Sequence, residues 1–291
     1  MTFNDNSSFD SGNVTRRGPG GGAIAGGGGV LMLLLGFLSM QFLGVDITQM
    51  FAPADQGAQS GEDFSCTGAE ANASIDCRME GAAVTLEQFW AAEAPNLGIS
   101  SYHDPSVVLY DNSTSSGCGT ASNAVGPFYC PGDEGIYIDT AFFQILTDKF
   151  GAEGGPLAEM YVLAHEWGHH VQTLEGTMNH IDQQSSGPGS DLVRLELQAD
   201  CYAGAWMAGA STATDANGNP IMQPPTREEL LTVVSAAQSI GDDHIMEQSG
   251  MQVQPERFTH GSSEQRTNWL AHGYQHGVTS CTTFDVPANQ L

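Results

Sequence analysis

The chain has 291 residues, with 34 Asp and Glu against 8 Lys and Arg, a formal net charge of -26 at pH 7. That balance repels phosphate backbones and excludes a nucleic-acid-binding role, while 40% hydrophobic residues exclude a wholly disordered chain. Residues 1–45 contain Asp5, Asp10, Arg16 and Arg17 and sum to zero, so the whole deficit belongs to residues 46–291.

In chain order, residues 1–23 are Asn-, Ser- and Gly-rich and read as a disordered tail. No residue from Ile24 to Val45 is charged, and Val30–Val45 is strongly apolar. About 20 apolar residues span a bilayer core, so residues 24–45 read as a transmembrane helix. Arg16 and Arg17 before it, and Asp46 and Asp55 after it, place residues 1–23 in the cytoplasm and the rest outside, as a single-pass membrane protein. A signal peptide cleaved near Ala52-Pro53-Ala54 is the competing reading, disfavoured by the distance from the apolar run.

All six cysteines lie beyond that run, an even count that suggests disulfides in an exported segment. Cys118 and Cys130 flank a turn-rich loop and are the favoured pair. Cys66 with Cys77 and Cys201 with Cys281 then remain by elimination, with buried free thiols as the alternative.

Residues 46–84 read as a spacer. Residues 85–94 read as a short helix with Thr85 and Gln88 as a capping box, stopped by Pro95. Residues 106–110 and 135–139 are β-branched and aromatic runs between turn residues, hence strands. Helices follow at 140–150, 157–175, 191–207, 226–247 and 262–275. The second of these lies between Gly154-Gly155-Pro156 and Gly176, the third starts at Ser190 as N-cap, and the last is capped by Ser262 with Gln265. The fold class is α+β, helix-dominated with a small sheet, and the folded domain is expected over residues 85–291.

The helix at 157–175 contains His165-Glu166-Trp167-Gly168-His169, an H-E-x-x-H pattern. Positions i and i+4 differ by about 40° around a helix, so both imidazoles leave one face and can share a metal. Glu166 lies on the same side, placed to take a proton from a water at that metal without ligating it. Leu157, Tyr161, Ala164, Gly168 and Val171 form a separate burial stripe. A tetrahedral zinc with one open position needs a third protein ligand. The metzincin histidine is absent, because Gln172 and Glu175 occupy the relevant positions. Glu196, 27 residues after His169 on a separate expected helix, is the candidate. Asp200, one turn on, can hold the outer N–H of a ligand histidine.

HEWGHH followed by ELQADCYAG resembles the putative neutral zinc metallopeptidase family, membrane-anchored bacterial proteins similar in site layout to gluzincins. Gly117-Cys118-Gly119, the segment from Gly126 to Asp139, and His260-Gly261-Ser262-Ser263-Glu264-Gln265-Arg266 carry the likeness further. The resemblance implies a zincin-like fold, Zn2+ on His165, His169 and Glu196, and Glu166 as the catalytic carboxylate acting on a peptide or protein substrate. His260 is the candidate oxyanion stabiliser, and strand 135–139 the candidate sheet edge for an extended peptide. A catalytically silent metal-containing scaffold and a zinc amidohydrolase of a small amide are the competing readings.

Overall fold

The computed structural model describes residues 1–18, 62–63, 65–122 and 125–291. Its strands are β1 (Ser8–Phe9), β2 (Val14–Arg17), β3 (Glu62–Asp63), β4 (Cys66–Thr67), β5 (Ser106–Tyr110), β6 (Ser113–Ser116), β7 (Gly119–Ser122), β8 (Phe128–Cys130) and β9 (Gly135–Asp139). The helices are α1 (Gly68–Ala73), α2 (Ile75–Glu93), α3 (Phe142–Asp148), α4 (Pro156–Glu175), α5 (Asp191–Gly209), α6 (Arg227–Ser239), α7 (Asp242–Gln248) and α8 (Ser263–His276).

The two strands that the sequence marks most clearly form the centre of a five-stranded sheet, order β3-β2-β5-β9-β8. β5 and β9 run parallel, from Ser106 opposite Gly135 to Tyr110 opposite Asp139. Val107, Leu109, Ile136 and Ile138 are buried in the main core, and Val108, Tyr110 and Tyr137 in a second, smaller one beside β8. Burial on both faces explains why these strands read as continuous apolar runs. β9 is therefore interior, and β8, antiparallel to it, is the sheet edge expected of residues 135–139.

The main core holds α2, α4, α5 and α8 together. α4 opens with Pro156 at its first turn and closes on Gly176 in the left-handed conformation (φ 81°). Ser190 caps α5 and Ser262 with Gln265 caps α8. Backbone close approach fixes how these helices meet. A Cβ on Gly168 would stand 3.0 Å from Ala199 Cα, so α4 and α5 touch there. A Cβ on Gly204 would collide with the carbonyl oxygen of Leu270, and one on Gly273 with that of Cys201, so α5 and α8 lie backbone to backbone.

Several expectations are corrected. Residues 1–18 are part of the fold, since β2 pairs in parallel with β5, Val14 opposite Val107 and Arg17 opposite Tyr110. Phe3 and Phe9 are buried, and their rings lie where a side chain at Gly81 of α2 would project. The polar composition of this segment hides four apolar anchors (Met1, Phe3, Phe9 and Val14) that are buried in the main core. The supposed spacer carries α1 and the start of α2. Thr85 sits inside α2, its hydroxyl donating to Ala82 O at 2.8 Å and accepting from Trp206 Nε1 at 3.2 Å. The helix expected over 226–247 is interrupted at Ile240-Gly241, where α6 ends and α7 begins.

The anchor expected at residues 24–45 lies outside the described residues. Among the described residues no helix is long and apolar enough to cross a membrane. The three cysteine pairs all form disulfides: Cys66–Cys77, Cys118–Cys130 and Cys201–Cys281.

Candidate metal centre

His165 and His169 leave one face of α4 and Glu196 faces them from α5; all three are buried. Their ligand atoms lie within 4.8 Å of one another. His165 Nε2 is 3.1 Å from Glu196 Oε2, and His169 Nε2 is 3.5 Å from Glu196 Oε1. A tetrahedron with bonds of about 2.05 Å has edges of about 3.3 Å, so the two separations bracket the spacing that a zinc ion would impose. His169 Nε2, Glu196 Oε1, Glu166 Oε1 and His260 Nε2 are buried without a hydrogen-bond partner. Buried polar atoms are usually paired, so the unpaired His169 Nε2 and Glu196 Oε1, 3.5 Å apart, fit a cation between them.

The remaining nitrogen of each of these two histidines is held. His165 Nδ1 lies 2.9 Å from Asp200 Oδ1, and a carboxylate can only accept, so that nitrogen carries the hydrogen. Asp200 is itself fixed by Arg266 of α8, with Nε 2.8 Å from Oδ2 and Nη2 3.0 Å from Oδ1. Tyr161 donates to the same Oδ1 at 2.5 Å. His169 Nδ1 lies 2.9 Å from Gln172 Oε1. Gln172 donates its amide to Leu195 O at 2.7 Å and to Gln198 Oε1 at 3.0 Å. Both imidazoles thus present Nε2 to the shared space.

Burial raises the pKa of Glu166 to about 7, against the opposing pull of His165 and of the Tyr129 backbone N–H on β8. Burial lowers that of His169 to about 4. For Glu196 burial acts upward, but His169, His260 and His165 outweigh it and bring the carboxyl below its ordinary range.

His260 reaches the centre from the loop before α8 and is fully buried. Asp242, at the start of α7, accepts from the backbone N–H groups of Thr259 and His260 at 2.7 Å each and of Gly261 at 3.1 Å. His260 Nδ1 lies 2.9 Å from Thr259 Oγ1 and 3.4 Å from Asp242 Oδ1; in the tautomer in which the hydroxyl donates to Nδ1, Nε2 carries the hydrogen.

Every residue singled out from the sequence therefore meets at one place: His165, Glu166, His169, Glu196, Asp200 and His260. Glu175 and His170, on the same helix as His165 and His169, are engaged elsewhere. Glu175 accepts from Tyr202 at 2.9 Å, and His170 is occupied by Tyr129 Oη and the His103 carbonyl. Sequence reasoning missed Gln172, Tyr161, Arg266 and Asp242. Gln172 and Tyr161 carried a signal, each one helical turn from a histidine of the pattern; Arg266 lay in a segment that carries the family likeness but without a role, and Asp242 had no signal.

A sequence model described as "Putative neutral zinc metallopeptidase" matches residues 3–284. The chain is 42% identical over 222 residues to the uncharacterized protein Rv2575 of Mycobacterium tuberculosis H37Rv, covering 76% of this chain and 74% of that one. It is 37% identical over 262 residues to the uncharacterized protein YpfJ of Escherichia coli K12, covering 87% and 85%. No solved structure matches it significantly.

Proposed function

Because the chain belongs to the putative neutral zinc metallopeptidase family, we propose that it is a zinc-dependent peptidase with His165, His169 and Glu196 as ligands and Glu166 as proton-transfer group. The carrying observation is the set of four buried polar atoms without partners on Glu166, His169, Glu196 and His260. Zinc, when bound, supplies Lewis acidity and makes water nucleophilic near neutral pH.

The protein's own groups do the rest. Asp200 and Gln172 hold the ligand histidines in one tautomer. Glu166 takes the proton of the attacking water and delivers it to the leaving amine. His260, steadied by Thr259 and Asp242, donates from Nε2 to the oxygen on which negative charge develops, a contribution of about 3 kcal/mol in comparable sites. Among the described residues β8 is the outer strand of its sheet, and its Tyr129 backbone N–H acts on the Glu166 carboxyl, so an extended peptide laid along β8 would pass the catalytic carboxylate.

Export to an oxidising compartment belongs to the same proposal, supported by the closure of all six cysteines in disulfides. So does attachment to a membrane through residues 24–45.

Two variants test the reading. Glu166→Gln should keep one zinc per chain and lose hydrolysis of quenched-fluorescent peptides, and Glu196→Ala should lose the zinc. A Glu196→Ala protein that retains stoichiometric zinc at native affinity would refute the ligand set. Zinc-loaded protein that cleaves small amides and no peptide would point to the amidohydrolase, and one that cleaves neither to the scaffold.

A further inference from the structure

The chain leaves the sheet at the end of β2 and re-enters it at β3, the neighbouring antiparallel strand, with Arg16 opposite Glu62 and Thr15 opposite Asp63. The apolar run Val30–Val45 lies between them in sequence. On its other side β2 pairs with β5 along all four residues. Arg16 and Arg17, the charges that suggested a cytoplasmic tail, are engaged in the fold. Arg16 forms ion pairs with Asp76 at 2.9 Å and Asp111 at 2.6 Å, and Arg17 donates to Ser115 O at 3.0 Å. The family match begins at residue 3, so this arm is shared with the family.

A single crossing between residues 17 and 62 would put β2 on one side of the bilayer and β3, β5 and the metal centre on the other. Backbone hydrogen bonds cannot reach across a hydrocarbon core about 30 Å thick. Two crossings would need about 40 apolar residues, and the uncharged stretch Ile24–Val45 has 22. We propose that residues 1–18 share one compartment with the metal centre, so that the proposed membrane attachment through residues 24–45 does not carry the chain across the bilayer. This rests on the proposed membrane attachment, and is independent of the metal chemistry.

The test uses the full chain in bacterial cells, with single cysteines placed at exposed positions, Asn6→Cys in the arm and Asn217→Cys in the domain. All native cysteines are in disulfides, and the unaltered chain labelled in parallel gives the background from any native thiol kept reduced, so the excess labelling by a membrane-impermeant maleimide reads the introduced thiol. Labelling of both before lysis supports the proposal. Labelling of both only after detergent also supports it and overturns export instead. Labelling of Asn217→Cys before lysis and of Asn6→Cys only after it overturns the proposal. Should the Asn6→Cys protein fail to accumulate, the paired positions Thr15→Cys and Asp63→Cys decide: a disulfide between them supports the shared compartment, and two free thiols in otherwise oxidised protein count against it. For the membrane half, the unaltered chain should sediment with membranes and Leu33→Glu with Leu34→Glu should release it. An unaltered chain found wholly in the soluble fraction overturns that half.

Discussion

Gln172 does two separable jobs, and two substitutions divide them. Its side chain is fully buried. Leu195 O can only accept, so the amide nitrogen must face α5 and Oε1 must face His169. Gln172→Leu keeps the volume but leaves the His169 N–H and Gln198 Oε1 without this partner. Each buried polar group stranded in this way costs about 1–3 kcal/mol, so a loss of about 2–6 kcal/mol in stability is expected. With His169 free to change tautomer, zinc affinity should fall by about 10–100-fold, the usual effect of removing such a partner. Gln172→Glu still accepts from His169 and cannot donate to Leu195 O, so it should keep most of the zinc affinity while losing stability. Chelator competition measures the first quantity and urea unfolding of the metal-free protein the second. A Gln172→Leu protein that binds zinc within twofold of the native chain would refute the tautomer argument, as would a Gln172→Glu protein equally impaired in zinc binding.

Arg266→Met should lose about 3–5 kcal/mol by stranding the buried Asp200 carboxylate, together with zinc affinity; Arg266→Lys should recover part of the stability but not the two-point grip, so zinc titration should still show the defect. Burial pushes Glu87 up to about 7 from 4.5, with Asn13 opposing. Below pH 4.5 the group is neutral whether folded or unfolded; between 4.5 and 7 the unfolded chain ionises first and stability falls; above 7 the penalty is constant. Its partial exposure reduces that penalty to on the order of 1–2 kcal/mol, so Glu87→Gln should be that much more stable at pH 8 and unchanged at pH 4 in thermal melts. Cys201→Ser with Cys281→Ser opens a loop of sequence separation 80, and the chain-entropy argument gives a loss of about 4.5 kcal/mol, readable by urea unfolding. Gly273→Ala should prise α5 from α8 and cost about 1–3 kcal/mol or more, with zinc affinity falling because Asp200 and Arg266 sit on the two helices.

The candidate metal centre was legible because its residues are local: a five-residue pattern on one helix and two carboxylates one turn apart on the next. Capping residues marked α5 and α8 correctly, and turn residues marked β5 and β9. What the sequence concealed is non-local. Gly81, Ala82 and Ala83 of α2 are small residues that mark no partner, and the rings that meet Gly81, those of Phe3 and Phe9, lie more than 70 positions upstream. β9 looks like an edge in sequence because nothing there announces the three-residue strand β8, which is bound by the Cys118–Cys130 disulfide. Arg16 and Arg17 were read through their charge, when their role is to close ion pairs and hydrogen bonds across the sheet. Helix 226–247 looked continuous, but its break frees Asp242 to gather three backbone N–H groups behind His260.

The parallel pairing of β2 with β5 bears on how this protein should be produced. Deleting everything up to residue 64 is the obvious route to a soluble fragment, yet it strips β5 of its neighbour and leaves Val107–Tyr110 as a bare, apolar sheet margin. Such a margin recruits other chains into mixed ladders, while the site vacated by Phe3 and Phe9 beside Gly81 becomes a greasy notch. Excising only the apolar run, and joining residue 18 to residue 62 by a short Gly/Ser linker, keeps the arm in place and offers the better material for crystals and assays.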